Sequence, residues 1–404
     1  MAISSRSTIS DSQSESTADG SLSTKRGSVS SRAMSGRAVP TPSISESSLG
    51  NLQHYGTHIG YTTELEPILF DISQTAGTPV NRASYQKPDG RNAFLLDQTE
   101  DDKFENDLYS DSLLIIENLV GSHGPSLIQH FKTMTNRNFP IVEDAFFHTY
   151  ESYQRSSLDP ALLSAVYAIA ASSPAYVNEA AASVELDLVQ VEDIAFRWFA
   201  HSISKPTLST MQAGILLMQR PNIDSKTLNS QLVGIAYELG LHLDCSSWTL
   251  SEEERSLRKR LAWALYMQDK WCSLIHGRPS SISKNHWAVR ELVENDFVVD
   301  SRILDDQGPV EEVQRGRDLF CQMVALTEIL STVLDTFYTL RAMQEVDDAG
   351  RNGTRLILEK AKPVQLRLKE WFMHLPRSLK MDSTMTGKPS ATGEWKFSWS
   401  RFMY

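Results

Sequence analysis

The chain has 404 residues, a formal net charge of −11 and a pI near 5.4. That length can supply one large core with tails, and the acidic balance argues against unaided nucleic-acid binding, because phosphate contacts need a basic surface. Its three cysteines, Cys245, Cys272 and Cys321, are scattered through apolar or helical contexts, which fits free core thiols in a reducing compartment and excludes a disulfide framework or metal cluster built from them.

From Met1 to about Gly50 the sequence is Ser-rich, with too little apolar material to offset the entropy of ordering. Its first twenty residues are polar, so no signal peptide is expected. Lys25, Arg26, Arg32 and Arg37 are too sparse to define an import signal. Pro67, Pro79 and Pro88 break the mixed stretch that follows. An acidic run, DQTEDDKFEND, spans Asp97 to Asp107 and reads as a solvated linker, with an acidic–aromatic activation motif as the alternative. The whole of 1–108 is therefore assigned to a disordered, low-complexity N-terminal region.

Helical spacing begins near Tyr109, with Leu113, Leu114, Ile116 and Leu119. Pro125 suits a first-turn proline, and Leu127, Ile128, Phe131 and Met134 continue that helix. Asn138 to Val142 is a short extended link around Pro140, and an aromatic helix follows over Glu143–Tyr153. Asp159-Pro160 caps an Ala-rich helix to Ala171, suited to close packing. A helix over Val184–Ile203 precedes a helical hairpin, Thr207–Gln219 and Thr227–Leu241, turned by Pro221, Asn222 and Asp224. After the loop Ser301–Pro309, a single long helix is expected over Val310–Val346, and a further one over Gly353–His374. Near-heptad spacing in the first of these is better read as an intradomain helix than as a coiled coil. No uninterrupted apolar run reaches the ~20 residues needed to span a bilayer. The body, 109–380, is thus an all-α, multi-helix domain. An irregular aromatic tail, 381–404, carries Trp395, Phe397, Trp399 and Phe402.

The chain is organised around Thr249–Ile282. Ser251 and Glu254 form a capping box, Glu252 to Glu254 match the helix dipole, and Gly277 with Pro279 ends the helix. Apolar residues occupy most sides of it, as in a helix buried in a large helical body. Asp269 shares a face with Leu265 and Cys272. A buried carboxylate needs a partner, and Arg260 and Arg278 are the candidates.

The set Arg260, Trp263, Asp269, Gly277, Arg278 and Pro279 resembles the signature of the fungal-specific transcription factor domain, the middle homology region of binuclear zinc-cluster transcription factors. The runs HFKTMTNRNFPIVEDAFFHTY, GLHLD and LRLKEWFMHLP resemble the same family. The stretch from Lys205 to Trp248 is most similar to TamA-type regulators, fungal co-activators of nitrogen-utilisation genes. The resemblance covers about Leu127 to Leu379. It implies a nuclear transcription regulator whose signature residues are structural, whose partners are other transcription regulators, and which performs no catalysis. Full-length family members carry a six-cysteine zinc cluster that contacts DNA. No cysteine precedes Cys245 here, so no cofactor is expected in this chain and DNA is reached only indirectly or through a missing N-terminal cluster. The family's helical domain continues further, so the chain is expected to be a fragment or a shortened version.

The competing reading is a helical small-molecule-binding module or an enzyme. No G-x-S-x-G elbow, P-loop, G-x-G-x-x-G or H-E-x-x-H motif is present. The ten histidines are dispersed, and His242, His276 and His286 have no metal-ligand spacing.

Overall fold

A computed structural model describes residues 56–60, 83–89, 92–97, 102–152, 155–174, 176, 186–220, 224–297 and 310–380. The centre of the body is α4, Pro160–Ala171, in which every residue is buried. Asp159 caps it by accepting a hydrogen bond from the Leu162 amide at 3.0 Å, and Pro160 occupies the first turn. Its alanines allow close approach by α1 (Asp102–Val120), α2 (Gly124–His130), α5 (Leu188–Ser202) and α6 (Leu208–Leu217). The aromatic helix expected near Glu143 is α3, Asp144–Glu151, and buries Phe146, Phe147 and Tyr150.

The hairpin partner of α6 is α7, Ser225–Glu238. The packing is so close that a Cβ on Gly214 would lie 2.3 Å from Leu232 Cδ2 of α7 and 2.7 Å from Phe199 Cε2 of α5. Beside them runs the signature helix α8, Glu252–His276. On its far side lie α9 (Val310–Phe337), α10 (Leu340–Asp348) and α11 (Gly353–Met373). Phe320 and Val324 of α9 join the main core, and Trp271 of α8 donates to Thr327 Oγ1 of α9 at 3.0 Å.

Three expectations need correction. The helix expected as one piece over Val310–Val346 breaks into α9 and α10, because Thr339 starts a new helix by accepting from the Ala342 amide at 3.1 Å. The ordered body also starts before Tyr109. Asp102 to Asp107, the end of the acidic run read as linker, forms the first turns of α1. The segment assigned to disorder further contains a three-stranded antiparallel sheet: β1 (Gly56–Ile59), β2 (Ala83–Gln86) and β3 (Ala93–Asp97), with β3 in the middle. Gly56 pairs with Leu96, and Ala83 with Asp97.

The sheet docks through Phe94. Its ring meets Trp248 edge-on, with centroids 5.2 Å apart, in a small cluster with Cys245 and Leu250. Gly240 makes this docking possible. It turns the chain after α7 at φ +67, and a Cβ there would lie 2.7 Å from the Phe94 ring. The Thr249 amide also donates to the Pro88 carbonyl at 3.1 Å.

Candidate functional site

The signature helix begins and ends as its sequence dictates. Ser251 Oγ accepts from the Glu254 amide at 3.1 Å. Gly277 takes the left-handed conformation, φ 60 and ψ 36, and its amide donates to the Ser273 carbonyl. The reciprocal half of the capping box is replaced. Glu254 is buried, and its Oε1 accepts from Arg258 Nε at 3.0 Å.

Asp269 is fully buried, at 0% exposure. Among the described residues it is not paired with an arginine. Oδ1 accepts from Asn229 Nδ2 of α7 at 3.0 Å and from the Ser281 amide at 2.9 Å. Oδ2 accepts from the Ile282 amide at 3.2 Å and from the Ser280 hydroxyl. The cation beside it is Lys270, with Nζ 3.5 Å from Oδ2. Lys270 Nζ also donates to the Ile282 carbonyl at 2.6 Å and to Ser280 Oγ, and lies 4.8 Å from the Tyr266 ring centroid. Burial lowers the Lys270 pKa, and the Asp269 charge opposes that shift. Two successive residues therefore clamp the segment that leaves the helix.

Arg260 clamps two other segments. Its Nε donates to the Pro140 carbonyl at 2.7 Å, and Nη1 donates to the Asp296 carbonyl. Burial lowers its pKa, opposed first by Glu143 and then by Asp296 and Asp144. Lys259 pairs with Asp296 Oδ2 at 2.5 Å. Trp263 Nε1 donates to the Arg290 carbonyl at 2.8 Å. The segment before the helix is held likewise. Arg255 Nη1 donates to the carbonyls of Trp248 at 3.0 Å and Leu250 at 2.7 Å, and Arg258 Nη1 to that of Leu239 at 2.9 Å.

Arg260, Trp263 and Asp269 thus act at different points along one helix, each on loop backbone. Arg278 and Pro279 lie exposed beyond the cap and do not reach Asp269. Sequence reasoning missed Lys270, Ser280, Asn229 and Asp296. Asn229 left a usable signal: it stands one helical turn before the core residue Val233, on a helix face that is otherwise apolar. The Asn138–Val142 link is fixed by side chains too. Asn136 bonds both backbone groups of Val142, at 2.9 and 3.0 Å, and Gln212 Nε2 donates to the Ile141 carbonyl at 2.8 Å.

Charged groups on a buried helix, each bonded to the backbone of a neighbouring segment, form an architectural clamp. Among the described residues no group of three or more His, Cys, Asp or Glu is placed to hold a metal ion. The profile of the fungal specific transcription factor domain matches residues 128–373, which takes in the whole clamp from Pro140 to Asp296. The chain belongs to this family.

Members similar to it are regulators. The transcriptional activator protein DAL81 of Saccharomyces cerevisiae is 32% identical over 324 residues, covering 69% of this chain and 32% of DAL81. The transcriptional regulatory protein C25B8.11 of Schizosaccharomyces pombe is 27% identical over 257 residues, 60% of this chain and 38% of its own length. Cutinase transcription factor 1 alpha of Fusarium vanettenii is 26% identical over 143 residues, 35% of this chain and 14% of its own length. The chain therefore spans about a third of the length of the first two. No solved structure matches it.

Proposed function

We propose that this chain is the regulatory part of a nuclear transcriptional co-activator of nitrogen-utilisation genes, working through contacts with other transcription regulators and without catalysis. The observation that carries this reading is the long similarity to a transcriptional activator, 32% identity across 69% of the chain. The nitrogen role is drawn from the resemblance of Lys205–Trp248 to TamA-type regulators. The clamp supports a non-catalytic role, since Arg260, Trp263, Asp269 and Lys270 spend their polar groups on the protein's own backbone. We also propose that the chain binds no zinc and reaches DNA only through a partner or a cluster outside it. Cys245, Cys272 and Cys321 all have raised pKa values, with burial the leading cause, which disfavours the thiolate a zinc ligand needs.

The aromatic tail, 381–404, lies outside the described residues. The test is promoter tethering: the full chain is fused to a foreign DNA-binding domain at a reporter in fungal nuclei. Increased transcription is expected, as is an unshifted DNA probe with the untagged chain at physiological salt. A silent reporter would count against the reading, and a sequence-specific shift by the purified chain would overturn the indirect route to DNA.

A further inference from the structure

The hydrophobic interior is divided. The main core runs from Leu113 of α1 to Val324 of α9 and takes in no described residue of the sheet. Phe94 of β3 belongs to a second, much smaller cluster with Cys245, Trp248 and Leu250, in the segment that leads into α8. A satellite cluster of this kind can open while the main core stays closed, because the two share no buried side chain. The body residues in it are shut off from solvent: Cys245 is 3% exposed and Trp248 2%.

A second contact between sheet and body is a pair of imidazoles. His58 of β1 meets His242 edge-on, with ring centroids 5.4 Å apart. Phe94 packs beside His58, also at 5.4 Å, so the aromatic anchor and the histidines form one continuous contact. The groups around His242 mostly oppose a proton on it: burial most strongly, then His58, with His286 adding to them and the Ala236 carbonyl acting the other way. Tyr237 presents its ring edge-on, and the Asp244 carboxylate is turned to Arg290 at 2.6 Å. On the sheet side, Asn92 and Asp89 favour a proton on His58 but are outweighed by burial. Asp89 already accepts from the Asn92 amide and from Asn92 Nδ2, both at 2.7 Å.

We infer that the three-stranded sheet is a releasable strap across the segment leading into the signature helix, opened by protonation of His58 and His242 while the helical body stays folded. Protonation turns two neutral rings in contact into two adjacent, half-buried cations, and both regain water when the sheet leaves. Release draws Phe94 off Gly240 and Trp248 and bares Trp248, Leu250 and the Cys245 thiol. The released strap binds more protons than the docked one, so docking is strongest above pH 6.5 and weakens as pH falls toward about 4. Such opening is distinct from unfolding, because the main core is not entered.

The test uses the full chain and dithiodipyridine, a disulfide reagent that still attacks thiols in mild acid, with each cysteine read by peptide mass spectrometry and the body followed by hydrogen exchange. Cys272 and Cys321, outside the strap's cluster, are the internal references. Between neutral pH and pH ~4.5 the rate at Cys245 relative to theirs should rise about tenfold or more, while α4 keeps its exchange protection. Phe94→Ala should give the same rise already at neutral pH. With His58→Gln and His242→Gln together, Cys245 should stay closed and the rise with acid should disappear. Equal gains at all three cysteines with loss of α4 protection would overturn the strap, because the event would be global unfolding. So would a Cys245 rate that never changes while the body is folded, a Phe94→Ala variant that stays closed at neutral pH, or an acid rise that persists in the double variant. A double variant already open at neutral pH would overturn the proton trigger, since the rings would then hold the sheet by packing and not through their charge state.

Discussion

At the scale of single residues, the family signature is a set of structural contacts. Asp269 and Lys270 are adjacent in sequence, and adjacent helical residues do not ordinarily face each other. They meet because the chain returns after Pro279 and presents Ser280 and Ile282 to both. For that reason the sequence could identify Asp269 as buried and paired but directed its pairing to arginine. A buried pair adds little net stability, while removing one member strands the other. Asp269→Ala should therefore lose about 3–5 kcal/mol in urea unfolding, and joint replacement by Asp269→Leu and Lys270→Met should recover a large part of it. A single variant as stable as wild type would show that the carboxylate is not needed. Gly214→Ala checks packing at the α6–α7 contact. With Leu232 Cδ2 only 2.3 Å from the new Cβ, a loss of about 1–3 kcal/mol is expected, read from the same unfolding curves.

At the scale of elements, helices were legible wherever a cap and an apolar face coincided, as at Asp159, Thr207 and Ser251. The sheet was not. Its strands are four or five residues long, and β1 and β2 are separated by 23 residues of chain between Ile59 and Ala83, so no local period reveals their pairing. What holds the sheet includes His58 of β1, which meets His242 with ring centroids 5.4 Å apart. Tyr237 of α7 also packs edge-on against His242, with ring centroids 4.8 Å apart, and His286, in the turn after α8, opposes a positive charge on His242. Burial, then His58, pushes the His242 pKa down from 6.5 to about 4. Burial also lowers that of His58, against the raising effects of Asn92 and Asp89. The unfolded chain thus binds more protons between these values, so this contribution is intact above pH 6.5 and is lost as pH falls toward about 4. The stability advantage of wild type over His242→Gln should shrink by roughly 2 kcal/mol between neutral pH and pH ~4.5. A pH-independent difference would remove His242 from the acid response.

At the scale of the whole molecule, α8 ties together segments far apart in sequence: Pro140 and Asp296 through Arg260, Arg290 through Trp263, and Ser281 with Asn229 through Asp269. The helix itself was readable in the sequence. Its partners were not, because most of them are backbone carbonyls and amides, which leave no residue-type signal. The same economy explains why the signature tolerates no simple chemical reading: the charges of Arg260 and Asp269 point inward. Native-state hydrogen exchange on wild type and Asp269→Asn tests this architecture most directly. The expected result is that amides of 280–297 and of α7 around Asn229 lose protection together, while α4 keeps its own. Loss confined to a single turn around residue 269, or unchanged protection throughout, would contradict the claim that the signature helix is the clamp on which the domain is assembled.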